Sequence, residues 1–186
     1  MEAAHLLLHI ARLLGRENVF HGRLLDVYLD RIALPGGTSS TREIVAHPGA
    51  AAAIPLASAD GVLLVRQYRH AVRSDLWEIP AGKLEPGEGP LSCAKRELRE
   101  ETGRTANAWR LLTSFYTSPG FSNEHITLFL ASDLCMDGRP SAREIVEQDV
   151  FRIDRLAEMI LSSEIVDAKT ILAVYWLVAH AGAGPD

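Results

Sequence analysis

The sequence is poor in cysteine and in aromatic residues, and it has no excess of basic charge and no long apolar run. Only Cys93 and Cys135 occur, without metal-ligand spacing between them. That argues against a disulfide-stapled secreted domain and for two free thiols in a reducing compartment, so a cytoplasmic location is expected. The run Ile171 to Ala179 has nine residues, against the roughly 20 needed to span a bilayer. Leu6-Leu7-Leu8 is flanked by His5 and His9 and has no basic lead, so neither a signal peptide nor a membrane partner is expected. Lys plus Arg number 19 against 24 Asp plus Glu, a net charge of −5. Sequence-independent nucleic-acid binding needs a basic footprint, which this chain does not have. There is no internal repeat and no low-complexity tract.

What remains is ordinary globular composition, 47% hydrophobic and 23% charged over 186 residues, enough for one domain with a real core. Leu6, Leu7, Ile10, Leu13 and Leu14 form a helical stripe, with Gly15 as its C-cap. Strands are expected around Leu25–Leu29, Arg42–His47 and Ala50–Ala57, the last central because it is apolar throughout. Asp60-Gly61 is a hairpin signal leading into Val62–Gln67, and Trp77-Glu78-Ile79 is a short strand. Gly89-Pro90 opens a helix that Gly103 closes. Strands follow at Trp109–Thr117 and His125–Ala131, then a loop over Asp137–Arg143 and a strand at Val150–Ile153. Two helices close the chain, Asp154–Ser162 and one capped by Asp167 that runs to about His180. This order predicts an α+β fold, a mixed α/β/α sandwich.

The chemistry is concentrated between Gly82 and Arg104, GKLEPGEGPLSCAKRELREETGR. On a helix Glu97, Glu100 and Glu101 stand at i, i+3 and i+4 and share one face. Like charges so placed repel by about 0.2–0.5 kcal/mol per pair. Arg96 and Arg99 relieve part of this. A hard divalent cation such as Mg²⁺ or Mn²⁺ relieves more, and Glu88 is near enough in sequence to add a fourth carboxylate. A bare RELREE string also fits a plain solvated helix face.

The whole segment resembles the Nudix box: Gly82, Glu88, Arg96, Glu97, Leu98, Glu100, Glu101 and Gly103 all match, and only Arg104 departs, standing where an aliphatic residue is usual. With seven fixed residue types at roughly one in 15 each, a chance match in this chain is on the order of one in a million. VRQYRHAVRSDLWEIPAGKLEPGE and TSPGFSNE are similar to the ADP-ribose and nucleoside-diphosphate-sugar pyrophosphatases of that superfamily, with Pro119 lying 16 residues after Gly103. The resemblance implies a Nudix fold with a β-rich N-terminal extension: residues 1–45 for dimerisation and substrate contact, and 46–186 as the hydrolase domain. It implies hydrolysis of ADP-ribose to AMP and ribose 5-phosphate with two or three Mg²⁺ or Mn²⁺ ions. Another nucleoside diphosphate sugar, such as GDP-mannose, is the alternative substrate, and a non-hydrolysing ADP-ribose sensor the alternative class.

Carried over by position, Glu97 and Glu101 resemble the principal metal ligands. Glu100 is an additional ligand counted among the catalytic residues, the Ala81 carbonyl is a further ligand, and Glu88 is a metal-site carboxylate. Arg96 would orient the glutamates. Arg69 matches the arginine that binds the pyrophosphate, with Arg66 as a second candidate and Glu78 as a partner of Arg69 or of substrate. Ser118, Pro119, Gly120 and Glu124 correspond to the loop near the ribose and adenosine. The base is expected on the loop SAREIVEQD. Ala142 stands where the family often has a glutamate, which leaves Glu144 and Glu147 both open. Trp77 and Trp109 are read as packing residues, and Phe20, Tyr28 and Phe121 as adenine-stacking candidates. A homodimer is implied, and the nearly all-apolar helix Ile171–Val178 would need cover from the core or from a partner.

Overall fold

The computed structural model describes residues 11–180. They form two compact units, residues 11–49 with 116–125, and residues 50–115 with 126–180.

The first unit is an antiparallel meander of β1 (Arg12–His21), β2 (Asp26–Ala33) and β3 (Ser39–Ala46). The helix expected to end at Gly15 is not present over Arg12–Gly15. These residues belong to β1, with Arg12 opposite Ala33 and Gly15 opposite Arg31. Residues 1–10, the rest of that expected helix, lie outside the described residues. The reason is tertiary: β1 pairs with β2 along its length, and a full ladder outweighs a weak local propensity that contains a glycine. Buried Asp30 is gripped by the Arg16 fork through two hydrogen bonds of 2.7 Å, and that guanidinium lies 4.6 Å from the centre of the Tyr28 ring. The 117–124 loop is fastened to the end of β3. Val45 N–H donates to the Phe121 carbonyl at 2.7 Å, and His47 N–H donates to Asn123 Oδ1 at 2.7 Å.

In the second unit, β4 (Ala50–Pro55) lies between β7 (Ala81–Lys83) and β9 (His125–Met136), antiparallel to the first and parallel to the second, with β8 (Arg104–Tyr116) outside β9. A second sheet has the order β10 (Ile145–Arg152), β5 (Gly61–Arg69), β6 (Ser74–Glu78). The helices are α1 (Pro90–Thr102), α2 (Ile153–Leu161) and α3 (Ala168–His180).

Every residue of β4 is buried, as its unbroken apolar run requires for a strand covered on both faces. The period of two sorts it. Ala50, Ala52 and Ile54 pack with Leu64, Leu128, Leu156, Met159, Val174 and Leu177 in the main core. Ala51 and Ala53 face the other way, toward Cys93, Ala94 and Leu98 of α1. Small residues on both sides let α1 lie close against the sheet, and this sets the height of its carboxylates. Trp77 packs edge-on against Phe151 and Trp109 against Phe129, as packing residues should. Within α3, Ala173, Val174 and Leu177 are covered by the chain's own core, while Tyr175 and Val178 are exposed. The cover that this apolar helix needs therefore comes largely from within the chain.

Several boundaries differ from the pattern reading: β3 begins at Ser39 and β9 runs on to Met136. β7 is too short for any periodicity to reveal. β8 begins at Arg104, directly after the helix cap. β10 begins at Ile145, ahead of the expected Val150; a register shift between Ile145 and Glu147 breaks the alternation by which a pattern reading would find it.

Candidate active site

α1 starts at Gly89-Pro90 and ends at Gly103, which takes the left-handed conformation (φ 69°) and donates its N–H to the Arg99 carbonyl at 2.8 Å. Burial of Leu98, Cys93 and Ala94 fixes the helix rotation, which turns Glu97 and Glu101 toward β7. A Cβ on Gly82 would lie 2.0 Å from Glu97 Oε1. The glycine that opens the box is thus required because the Glu97 carboxylate rests on its backbone. Arg96 is a three-way clasp. Its Nε and Nη2 grip the two Glu88 oxygens at 2.9 Å each, its Nη1 donates to Glu97 Oε1 at 2.6 Å, and Nη2 also donates to the Lys83 carbonyl at 3.1 Å. Glu88 further accepts the Glu85 N–H at 3.0 Å. Arg96 and that N–H hold the Glu88 carboxyl down at about 2, and the carboxylates raise Arg96 further. Both Glu88 oxygens are committed to Arg96, so Glu88 stands behind Glu97 as its anchor.

Glu101 is 5% exposed, and among the described residues one donor reaches its carboxylate, the Ala81 N–H at 3.3 Å. Burial first, and the charge of Glu97 second, push its carboxyl up to about 8, against the opposing Ala81 N–H and the charges of Lys169 and Arg69. Burial also raises Glu97, although Arg96 pulls the other way. Glu100 is 44% exposed and lies 3.4 Å from Arg96. Among the described residues no three carboxylate, imidazole or thiolate groups converge on one point. A buried carboxylate, Glu101, that the part-buried Glu97 pushes up and that accepts the Ala81 N–H still makes, with Glu97, a donor set that a hard divalent cation would neutralise.

Beside this pair lies a buried ion cluster. Arg69 donates through Nε and Nη2 to the two oxygens of Glu78 at 2.7 Å each. Glu78, 2% exposed, also receives Lys169 Nζ, which is 3.0 Å from Asp167 Oδ1. Burial alone would raise the Glu78 carboxyl; Arg69 and Lys169 outweigh it and hold it below its ordinary value. Asp167 caps α3 through Thr170 N–H at 2.9 Å, and Thr170 Oγ1 accepts the Ile79 N–H at 2.9 Å. Two of the five Arg69 donors are used on Glu78, so the Nη1 edge of this half-exposed guanidinium remains for an anion. Lys169 was missed by pattern reading. Its signal was a lysine in the first turn of an otherwise apolar helix, which is cheap to bury only when paired.

The remaining candidates separate. Arg66 lies on the opposite face of β5 from Arg69, 3.1 Å from Glu147 and 3.6 Å from Asp75. Glu144 accepts a hydrogen bond from buried Gln67 at 2.8 Å. Ser118, Pro119, Gly120 and Glu124 belong to the first unit. There Thr117 Oγ1 donates to Glu124 Oε2 at 2.6 Å, and His47 Nε2 is 3.9 Å from Glu124. Leu24, Leu25, His47 and Phe121 line a cavity of about 280 Å³ with this loop. Phe20 is exposed, and Tyr28 is covered by Arg16. Both cysteines are free, Cys93 buried and Cys135 exposed, and burial pushes the Cys93 thiol up to about 12. Among the described residues no helix is long and apolar enough to cross a membrane.

Comparison with known proteins places these features. The NUDIX domain model matches residues 46–172. An ADP-ribose pyrophosphatase from Bacillus subtilis is 39% identical, covering 88% of this chain and 90% of its own length. A methanol dehydrogenase activator from Bacillus methanolicus is 40% identical, covering 87% and 89%. A solved structure described as an ADP compounds hydrolase superposes with a TM-score of 0.80 at 22% identity, covering 91% of this chain and 95% of that one, which supports the fold. With a box whose glycine, arginine and glutamates each have a visible structural reason, the chain belongs to the Nudix family of hydrolases.

Proposed function

We propose that this protein hydrolyses the pyrophosphate bond of ADP-ribose to AMP and ribose 5-phosphate, with Mg²⁺ or Mn²⁺ as cofactor. The observation that carries the reading is buried Glu101 with part-buried Glu97, beside an arginine already oriented for an anion. Glu97, Glu101, the Ala81 carbonyl and the more exposed Glu100 would hold two or three ions. When bound, divalent metal supplies charge neutralisation at the phosphates and a lowered pKa for a coordinated water.

The chain's own residues do the rest. Arg96 keeps Glu97 on Gly82 and so keeps the two carboxylates in register. Glu78 and Lys169 hold Arg69 in one orientation, so binding a pyrophosphate oxygen costs little side-chain entropy. Glu144 accepts the proton of the attacking water. Glu147 is tied to Arg66 on the other face of β5, which favours Glu144 of the two, and Arg66 is better read as the partner of Glu147 and Asp75 than as a phosphate ligand. The 118–124 loop is assigned to the ribose and adenosine by resemblance. Residues 1–45 are proposed as an extension to a hydrolase domain of 46–186. That extension mediates a homodimer, supported by exposed Leu13, Val19, Phe20 and Leu24 in the first unit. The protein is proposed to work in the cytoplasm.

Measuring AMP release from ADP-ribose with Mg²⁺ tests the proposal. Glu101→Gln should lower kcat by at least about a hundredfold. Full activity in that variant would sink the ligand assignment. Micromolar light scattering should give a dimer mass, and a monomer would remove the dimer proposal.

A further inference from the structure

We infer that Gln67 is a positioning residue that holds Glu144, and that a one-residue bulge in β10 decides which loop glutamate it holds. The inference rests on the reading of Glu144 as the base.

The face of β5 comes first. Alternation puts Val65, Gln67 and Arg69 on one side and Arg66 and Tyr68 on the other. Val65 is paired with Glu78, so the Gln67 side is the side of the Arg69–Glu78 cluster. On β10, Ile145 pairs with Gln67, Glu147 with Arg66 and Gln148 with Val65. Val146 is the extra residue of a bulge. Without it Glu147 would share the face of Ile145 and Gln67. With it Glu147 turns to the Arg66 face, and Gln148 takes the inner one.

The inner face is fastened to the last turn of α1. The final carbonyls of a helix have no partner within it, and here the 137–148 segment supplies them. Ser141 N–H and Ala142 N–H donate to the Glu100 carbonyl at 2.8 and 3.0 Å, Asp137 N–H donates to the Gly103 carbonyl at 2.9 Å, and Gln148 Nε2 donates to the Glu101 carbonyl at 2.9 Å. The segment that bears Glu144 is therefore pinned to the same turn that bears Glu100 and Glu101. Within it, the Glu144 side chain is exposed and, among the described residues, has one side-chain hydrogen-bond partner, Gln67 Nε2 at 2.8 Å. A carboxylate only accepts, so the amide must present its nitrogen. Gln67 is 6% exposed, and burying an amide at a strand position is costly unless it is hydrogen-bonded. Holding Glu144 gives this polar residue its reason to be there.

The test is steady-state hydrolysis of ADP-ribose with saturating Mg²⁺ by wild type, Gln67→Met, Gln67→Asn, Glu144→Gln and the Gln67→Met/Glu144→Gln double variant. Methionine keeps the volume and removes the donor; asparagine keeps the amide and falls one carbon short. Both should lose about ten- to a hundredfold in kcat, the span of a hydrogen bond to an ionised group. KM and melting temperature should stay near wild type. In the Glu144→Gln background, Gln67→Met should change kcat by less than about twofold, because its effect runs through Glu144. Wild-type kcat in Glu144→Gln would overturn the base assignment and the tether with it. A slow Glu144→Gln with wild-type kcat in both Gln67 variants, or with losses that multiply in the double variant, would overturn the tether alone.

Discussion

Binding of Mg²⁺ should expel a proton from Glu101. Its carboxyl is pushed up to about 8 by burial and by Glu97, so at pH 7 about 90% of molecules carry that proton before metal binds. A carboxylate that ligates a metal carries none. Saturating Mg²⁺ at pH 7 should therefore release about 0.9 proton per site, falling to about 0.1 at pH 9. Titration calorimetry in two buffers of different ionisation enthalpy measures this directly. The same group links stability to pH. Its folded pKa lies above the ordinary carboxylate value of 4.5, so the folded state binds the extra proton and is favoured at low pH. That contribution is complete below about 4.5 and is lost as pH rises through about 8, by up to about 5 kcal/mol for the isolated group and less where Glu97 shares the proton. Metal-free protein should lose urea stability across that window, Mg²⁺ should restore it, and Glu101→Gln should flatten the profile. Mg²⁺ binding without proton release at pH 7, or equal release from Glu101→Gln, would refute the reasoning.

Three further outcomes follow from the geometry. Gly82→Ala would put a Cβ 2.0 Å from Glu97 Oε1; displacing that carboxylate by about 1 Å should cost on the order of a hundredfold in kcat, read in the AMP-release assay. Leu98→Ala, at a fully buried position between α1 and β4, should cost about 2–5 kcal/mol in urea unfolding, and activity should persist below the transition. Lys169→Met removes one partner of buried Glu78. It should destabilise by up to about 3–5 kcal/mol, at the low end because the Arg69 fork remains, and should raise KM as Arg69 loses its fixed orientation.

How much of this was legible in the sequence depended on how local each signal was. The helix from Pro90 to Thr102 was readable to the residue because proline and glycine mark its ends. The buried character of Ala50–Pro55 was readable because a strand covered on both faces shows no polar residue. Arg12–Gly15 read as helix because the stripe of leucines is a local pattern, whereas the ladder to β2 is not. The spacing of Glu97, Glu100 and Glu101 announced a shared face, but spacing alone does not show Glu88 committed to Arg96. Nor could it separate Arg66 from Arg69 or Glu144 from Glu147. One bulge residue, Val146, puts Glu147 on the Arg66 face while Glu144 meets Gln67, and bulges leave no periodic trace. Lys169 and Gln67 were silent for a related reason: a buried polar residue has meaning only through its partner, here 91 residues away for Lys169 and Glu78 and 77 for Gln67 and Glu144.

The most direct test is a substrate panel ranked by kcat/KM for purified protein with Mg²⁺: ADP-ribose, GDP-mannose and other nucleoside diphosphate sugars, with products identified. ADP-ribose should rank first and yield AMP and ribose 5-phosphate in equal amounts. Tight ADP-ribose binding with no turnover, or a clear preference for GDP-mannose, would contradict the proposed function.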